Sequence, residues 1–158
     1  PVVFMEPKRR YWESAMVDIS APAPSLWSAS TIRPGNHATL LTYGPMVRTC
    51  LDAAEVASAE GIELEVIDLR SLSPLDMAPI IESVKRTGHA IVVHEAARTL
   101  GLGAELAARI TESCFYSLES PVLRVTGYDL PYPPSKVEHE YLPGVDRILD
   151  AVDQARGF

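Results

Sequence analysis

From Ala38 onward the apolar residues change their spacing in a repeating order, and that order limits the folds open to the chain. Short apolar runs stand at Thr39-Leu40-Leu41-Thr42-Tyr43, Ile62 to Leu69, Ala90-Ile91-Val92-Val93 and Val122-Leu123-Arg124-Val125-Thr126. Between and after them, apolar residues recur at helical spacing. Met46, Val47, Cys50, Leu51, Ala54 and Ala57 form one such stripe, and Met77, Ile80, Ile81 and Val84 a second. Leu102, Leu106, Ala107 and Ile110 form a third, and Val145, Ile148, Leu149 and Val152 a fourth. Strand-sized runs alternating with helical stripes predict a parallel or mostly parallel sheet, of about five strands, covered on both faces. The expected fold is a three-layer α/β/α, Rossmann-like domain with right-handed crossovers. Gly61 and Gly88 stand where helices should end, in positions that favour a left-handed residue. Ser73-Pro74 is expected to open the second helix, with Ser as cap and Pro in the first turn.

The first 37 residues follow a different pattern. Pro1 to Met5 reads as a short apolar strand, followed by the basic cluster Lys8-Arg9-Arg10 and the aromatics Tyr11 and Trp12. Residues 14–37 carry Pro22, Pro24 and Pro34 among serines, with no sustained period. That composition suits an extended connector. The expected division is a strand-bearing end of one domain at 1–13, a linker at 14–37 and a complete domain at 38–158. With Pro1 in first place and no initiator Met, the chain is expected to be a piece of a longer one.

Charge and motifs narrow the chemistry. A net charge of -7 opposes nucleic-acid binding, which needs clustered Lys and Arg. It suits a basic protein partner or simple solubility. No apolar run approaches the roughly 20 residues of a membrane-spanning helix. Cys50 and Cys114, isolated and flanked by apolar residues, point to buried thiols in a reducing compartment. In α/β sheets ligands collect beyond the carboxyl ends of strands. Those ends carry Tyr43-Gly44, Asp68 to Ser71, His94-Glu95 and Gly127-Tyr128-Asp129. Taken singly, Asp68, Arg70 and Glu95 are expected to pair with one another or cap helices.

Gly101-Leu102-Gly103 lacks the third small residue of a dinucleotide fingerprint, since Leu106 stands in its place. A tight turn and a close helix approach fit those glycines better than phosphate binding. His37, His89, His94 and His139 are not spaced as zinc ligands. No G-x-S-x-G elbow is present. Cys114 with His94 could be drawn as a nucleophilic pair, but nothing near Cys114 is electropositive. The residues alone describe an acidic α/β domain suited to binding or assembly.

Several segments, in order, resemble one family. They are Glu6-Pro7-Lys8, Glu65-Val66-Ile67-Asp68-Leu69-Arg70, Ser73-Pro74-Leu75-Asp76, Lys85-Arg86-Thr87-Gly88, His94-Glu95-Ala96, Glu119-Ser120-Pro121-Val122 and Gly127-Tyr128-Asp129-Leu130-Pro131. Together they resemble the β subunit of the thiamine-diphosphate-dependent 2-oxo acid dehydrogenases, most closely the branched-chain, 2-oxoisovalerate type. The alternatives are the β subunit of a pyruvate or acetoin dehydrogenase, or a transketolase-type C-terminal domain. The resemblance implies a transketolase C-terminal-domain fold at 38–158 and the tail of a pyrimidine-binding domain at 1–13. It implies an enzyme that decarboxylates 2-oxo acids oxidatively and passes the acyl group to lipoamide, with thiamine diphosphate and magnesium in the full enzyme. It places no catalytic, cofactor-binding or metal-binding residue in this chain, so the chain alone is expected to be inactive and to bind no cofactor.

The implied partners are an α subunit and a second β subunit, in a heterotetramer of two α and two β chains. A further implied partner is the basic subunit-binding domain of a lipoate acyltransferase, with neither nucleic acid nor membrane. Phe158 with its terminal carboxylate, Glu119, and Asp153 and Asp150 on the last helix are the residues expected to meet that domain. The implied location is the cytoplasm of a bacterium, or a mitochondrial matrix.

Overall fold

Ala38–Thr42 is buried at every position and forms the central strand, β2. In this computed structural model, residues 1–14, 16–23 and 25–158 are described, with Arg9 described in its backbone alone. β1 (Ser30–Arg33), β3 (Leu64–Asp68), β4 (Ala90–Ala97) and β5 (Leu123–Gly127) complete one sheet in the order β1-β3-β2-β4-β5. β2 pairs in parallel with β3 and β4, and β4 in parallel with β5; β1 is antiparallel to β3. The fold is therefore a mostly parallel five-stranded sheet, as the apolar spacing predicts.

Side chains alternate across this sheet and build two half-cores. Leu40, Val66, Ile91, Val93 and Val125 face α1 (Met46–Ala59) and α5 (Val145–Arg156). Leu41, Ile67, Ala90 and Val92 face α2 (Ala78–Thr87) and α3 (Leu102–Cys114), and the short α4 (Glu138–Tyr141) precedes α5. The chain crosses one way from β2 to β3 and the other way from β3 to β4 and β5. Crossovers of one hand then place α1 opposite α2 and α3. Each fully buried Leu or Ile contributes about 1.5–3 kcal/mol. On α5 the deepest residues are Ile148, Val152 and Ala155, while Leu149 packs only at the margin of the core. Gly61 and Gly88 carry φ of 79° and 72°, the left-handed geometry expected beyond a helix end.

Three expectations change. Pro1 to Met5 forms no strand: Val2 is 93 % exposed and Phe4 84 %, because no sheet edge lies alongside to accept their backbone. Ser30–Arg33, inside the stretch expected as linker, is the edge strand β1. Its outer positions Thr31 and Ile32 meet solvent, so apolar periodicity carries no trace of it. The second helix begins at Ala78 rather than Ser73, with Pro79 in its first turn. Before it, Asp76 Oδ2 accepts the backbone N–H of Ala29 at 3.1 Å, so this stretch anchors the chain that enters β1.

Candidate functional site

The strand order reverses between β2 and β4, and a ligand crevice is expected beyond their carboxyl ends. Gly44-Pro45 and Glu95 stand there. A cleft of about 480 Å³ lies at this point, lined by Lys8, Trp12, Pro45, Glu95, Tyr132 and Glu138. The chain's own residues 7–12 thus form one wall of the crevice, and Arg10 donates to the carbonyl of Pro45 and to Glu13. A neighbouring cleft of about 610 Å³ is lined by Leu26, Trp27, Gly44, Asp68, Arg70 and Ser71. Arg70 adopts φ 58°, its backbone N–H donates to Asp68 Oδ1 at 3.1 Å, and its guanidinium donates to Ser25 O at 3.3 Å. Asp68 and Arg70 therefore shape the turn and hold the preceding segment.

His94 is fully buried in the second half of β4. Gly103 N–H donates to its Nε2 at 3.1 Å, and its Nδ1 lies 3.1 Å from Ala96 O. The two partners fix one tautomer: Nδ1 carries the proton and Nε2 accepts. Burial pushes the imidazole below its usual range, the carbonyl of Ala96 works in the opposite direction, and Arg124 adds to the depression. Tyr43 stacks on the ring at 6.1 Å. Gly103 is small because of this ring, and Gly101 because of the Ala97 carbonyl, 2.3 Å from where a Cβ would stand, and the ring behind it. A Cβ on residue 103 would meet Nε2 at 2.5 Å, and one on residue 101 would meet Cε1 at 2.8 Å. The Gly-Leu-Gly turn is thus a seat for His94, and one α3 N-terminal amide that could have faced a phosphate is engaged with the imidazole. Cys114 lies at the far end of α3, roughly 16 Å along the helix from Gly103, with its thiol pushed upward by burial. His94 and Cys114 do not form a reacting pair. Cys50 is buried as well, its thiol pushed up to about 12 by desolvation.

A second network at the same edge is absent from the sequence reading. Arg147, in the first turn of α5, donates to Thr126 O at 2.6 Å and lies 4.7 Å above the Tyr128 ring. Tyr141 Oη donates to Tyr128 O at 3.0 Å. Asp129 accepts the backbone N–H of Thr99 at 2.8 Å and its hydroxyl at 2.7 Å; the backbone bond first, and the hydroxyl second, hold its carboxyl below the usual range. The Tyr-rich loop before α5 was the available signal, since an Arg over an aromatic is a recurrent pairing.

Three of the four expected docking residues lie toward the opposite, amino edge. Glu119 follows α3 and precedes β5, with its side chain 74 % exposed. α5 starts beside the carboxyl end of β5 and runs back over about 18 Å, so Asp153 and Phe158 lie toward the amino edge, on the α1 side of the sheet. Phe158 is 70 % exposed. Asp150 sits midway, on a groove of about 260 Å³ shared with Arg124 and Arg147. It shares that groove with two arginines and is separated from the other three. A cleft of about 830 Å³ adjoins Glu119, lined among others by Ala107, Thr111, Phe115, Leu118 and Val122. The next aromatic, Tyr116, is wholly exposed beside Phe115.

Among the described residues, no three His, Cys, Asp or Glu side chains gather as metal ligands. Nor, among them, is any helix long and apolar enough to cross a membrane.

Residues 28–148 match the family described as transketolase, C-terminal domain. Among curated proteins, the 3-methyl-2-oxobutanoate dehydrogenase subunit beta of Mycobacterium tuberculosis is 52 % identical over 98 % of this chain and 44 % of its own length. The pyruvate dehydrogenase E1 component subunit beta of Leifsonia xyli is 48 % identical over 100 % of this chain and 47 % of its own. The 2-oxoisovalerate dehydrogenase subunit beta of Pseudomonas aeruginosa is 43 % identical over 94 % and 46 %. The chain thus spans about half the length of the curated relatives it matches. Among solved structures, a split-gene transketolase described as an inactive beta4 tetramer superposes with a TM-score of 0.71 at 25 % identity, over 91 % of this chain and 47 % of that one.

Proposed function

This chain belongs to the transketolase C-terminal domain family, and from that premise we propose that it is part of the β subunit of a branched-chain 2-oxo acid dehydrogenase. The observation that carries the reading is the 52 % identity to a 3-methyl-2-oxobutanoate dehydrogenase β subunit across nearly the whole chain. The proposed reaction of the whole enzyme is oxidative decarboxylation of a branched 2-oxo acid, with the acyl group passed to lipoamide. The 48 % identity to a pyruvate dehydrogenase β subunit supports pyruvate as the second reading of the substrate.

Thiamine diphosphate and magnesium belong to that chemistry, and the start of α3 does not fit a diphosphate. The Gly103 amide at the start of α3 is taken by His94, whose ring packs against Gly101 and Gly103. In this reading the present domain contributes assembly and docking, and no step of the chemistry is routed through it. Residues 1–13 would be the tail of a pyrimidine-binding domain, and the part of the 14–37 linker before β1 would join the two.

The proposed assembly is two α and two β chains. The proposed docking partner is the basic subunit-binding domain of a lipoate acyltransferase. Glu119, Asp153 and Phe158 support that choice, as exposed groups toward one edge of an acidic chain. Asp150 is the weakest contact, beside Arg147.

Calorimetric titration of the chain with such a subunit-binding domain tests the reading. Salt-sensitive binding that weakens when Phe158 is removed is expected. Binding indifferent to both salt and Phe158 would overturn it. Reconstitution with the remaining subunits, followed by comparison of kcat/KM for 3-methyl-2-oxobutanoate and pyruvate, separates the two substrates.

A further inference from the structure

Glu119 is solvent-exposed, yet its backbone and side chain both touch the end of α2. Its N–H donates to Gly88 O at 2.9 Å. Its side chain lies flat over Gly88: a Cβ there would stand 2.9 Å from both Cγ and Cδ of Glu119. Gly88 is the left-handed residue that ends α2, so no side chain occupies that space. Oε2 of Glu119 lies 3.6 Å from Nε2 of His89. His89 is itself only 12 % exposed in its side chain, and its Nδ1 lies 3.0 Å from Ser120 Oγ. A carboxylate can only accept. The tautomer that suits both neighbours therefore carries its proton on Nε2, toward Glu119, and accepts the Ser120 hydroxyl at Nδ1.

We propose that Gly88 and His89 are positioning residues that hold the Glu119 carboxylate ready for a cationic side chain of the docking partner. The proposal rests on the docking reading above and deepens it. An exposed Glu ordinarily loses rotamer freedom when a partner fixes it. Here the space left by Gly88 admits the side chain, and the backbone bond and the imidazole 3.6 Å away favour that position. The bound group is a guanidinium or ammonium. Its neighbour on the partner is apolar, because Glu119 rims the cleft lined by Ala107, Thr111, Phe115, Leu118 and Val122.

The test is a double-mutant cycle read by titration with the subunit-binding domain of a lipoate acyltransferase. Glu119→Gln is expected to weaken binding about tenfold, the loss of one charged contact. His89→Ala is expected to weaken it about threefold, and to have no further effect once Glu119→Gln is present. His89→Gln, which keeps a donor near the Nε2 position, is expected to restore most of the loss. Thermal melting of each variant checks folding, and Gly88→Ala adds a second route that displaces Glu119 directly. If His89→Ala weakens binding equally in both backgrounds, His89 acts on the fold and the positioning role is overturned. If Glu119→Gln changes nothing while removal of Phe158 still weakens binding, docking stands and the role of Glu119 and His89 falls. If the unaltered chain does not bind the domain at all, both fall together.

Discussion

The two edges of this sheet use polar residues in opposite ways. At the carboxyl edge, the side chains that a ligand would need are engaged by the protein itself. His94 is held between Ala96 and Gly103, Arg147 caps Thr126, and Asp129 is taken by Thr99. Residues 7–12 line the crevice where the strand order reverses. At the amino edge, Glu119 and Phe158 meet solvent, and a cleft stands open beside an exposed aromatic pair. The fold class directs attention to the carboxyl edge. Here that edge has become a structural joint, and the surface left for recognition is at the other end. The comparison predicts a clean split: changes at the carboxyl edge cost stability, and changes at the amino edge cost binding.

The largest expected effect ignores that split, because α5 serves both edges. Ile148 is fully buried on α5 between the sheet and α1. Ile148→Asp places an unpaired charge there and is expected to cost 4 kcal/mol or more, roughly enough to unfold a marginally stable domain. Leu149→Asp, at the margin of the same core, is expected to cost about half as much or less. Denaturant melts rank the two, and equal losses would mean that the buried face of α5 is misplaced.

Gly103→Ala comes next and sharpens the split. The added Cβ lies 2.5 Å from His94 Nε2, so either the ring or the start of α3 must move. The expected cost is about 2–4 kcal/mol, the range for overpacking joined to a lost buried hydrogen bond. Docking affinity of the folded fraction should stay unchanged. A variant of full stability with weakened docking would reverse the roles assigned to the two edges.

Acid gives a third, smaller effect at the same joint. Burial depresses His94, so the folded state resists a proton that the unfolded chain accepts near the ordinary histidine value of about 6.5. The unfolded state then binds more protons, and stability falls as pH drops below about 6.5. Protonation would also remove the acceptor for Gly103 N–H. Stability of the unaltered chain and of His94→Gln, measured from pH 8 to pH 5, checks this; the variant should show the shallower decline. Parallel curves would exclude His94 as the titrating group.

How far the sequence foretold these edges depends on what each residue packs against. β2, β3 and β4 were legible because their apolar runs are buried on both faces. β1 was not, because an edge strand of four residues with two exposed carries no period. The Gly-Leu-Gly turn was legible as a tight approach, but its occupant, His94, could not be read from spacing: the contact bridges two elements. Arg147 escaped notice for the same reason, since its partners come from β5 and the loop after it. Glu119 came from the family resemblance, while the dependence on Gly88 and His89 arises only when the end of α2 meets the turn before β5.

The smallest stability effect belongs to the amino edge and is the sharpest test of the split. Glu119 is exposed, so Glu119→Gln removes a charge without opening a cavity or stranding a buried group. Its effect on folding should stay within about 0.5 kcal/mol, as for surface changes generally. If the amino edge is a recognition surface, the same change must nevertheless alter the affinity for a basic partner and flatten its dependence on salt, because the removed charge acts through solvent. Melting and titration on the same preparation read both quantities. A loss of stability with no change in salt dependence would make Glu119 a joint like His94, and the two edges would then be alike.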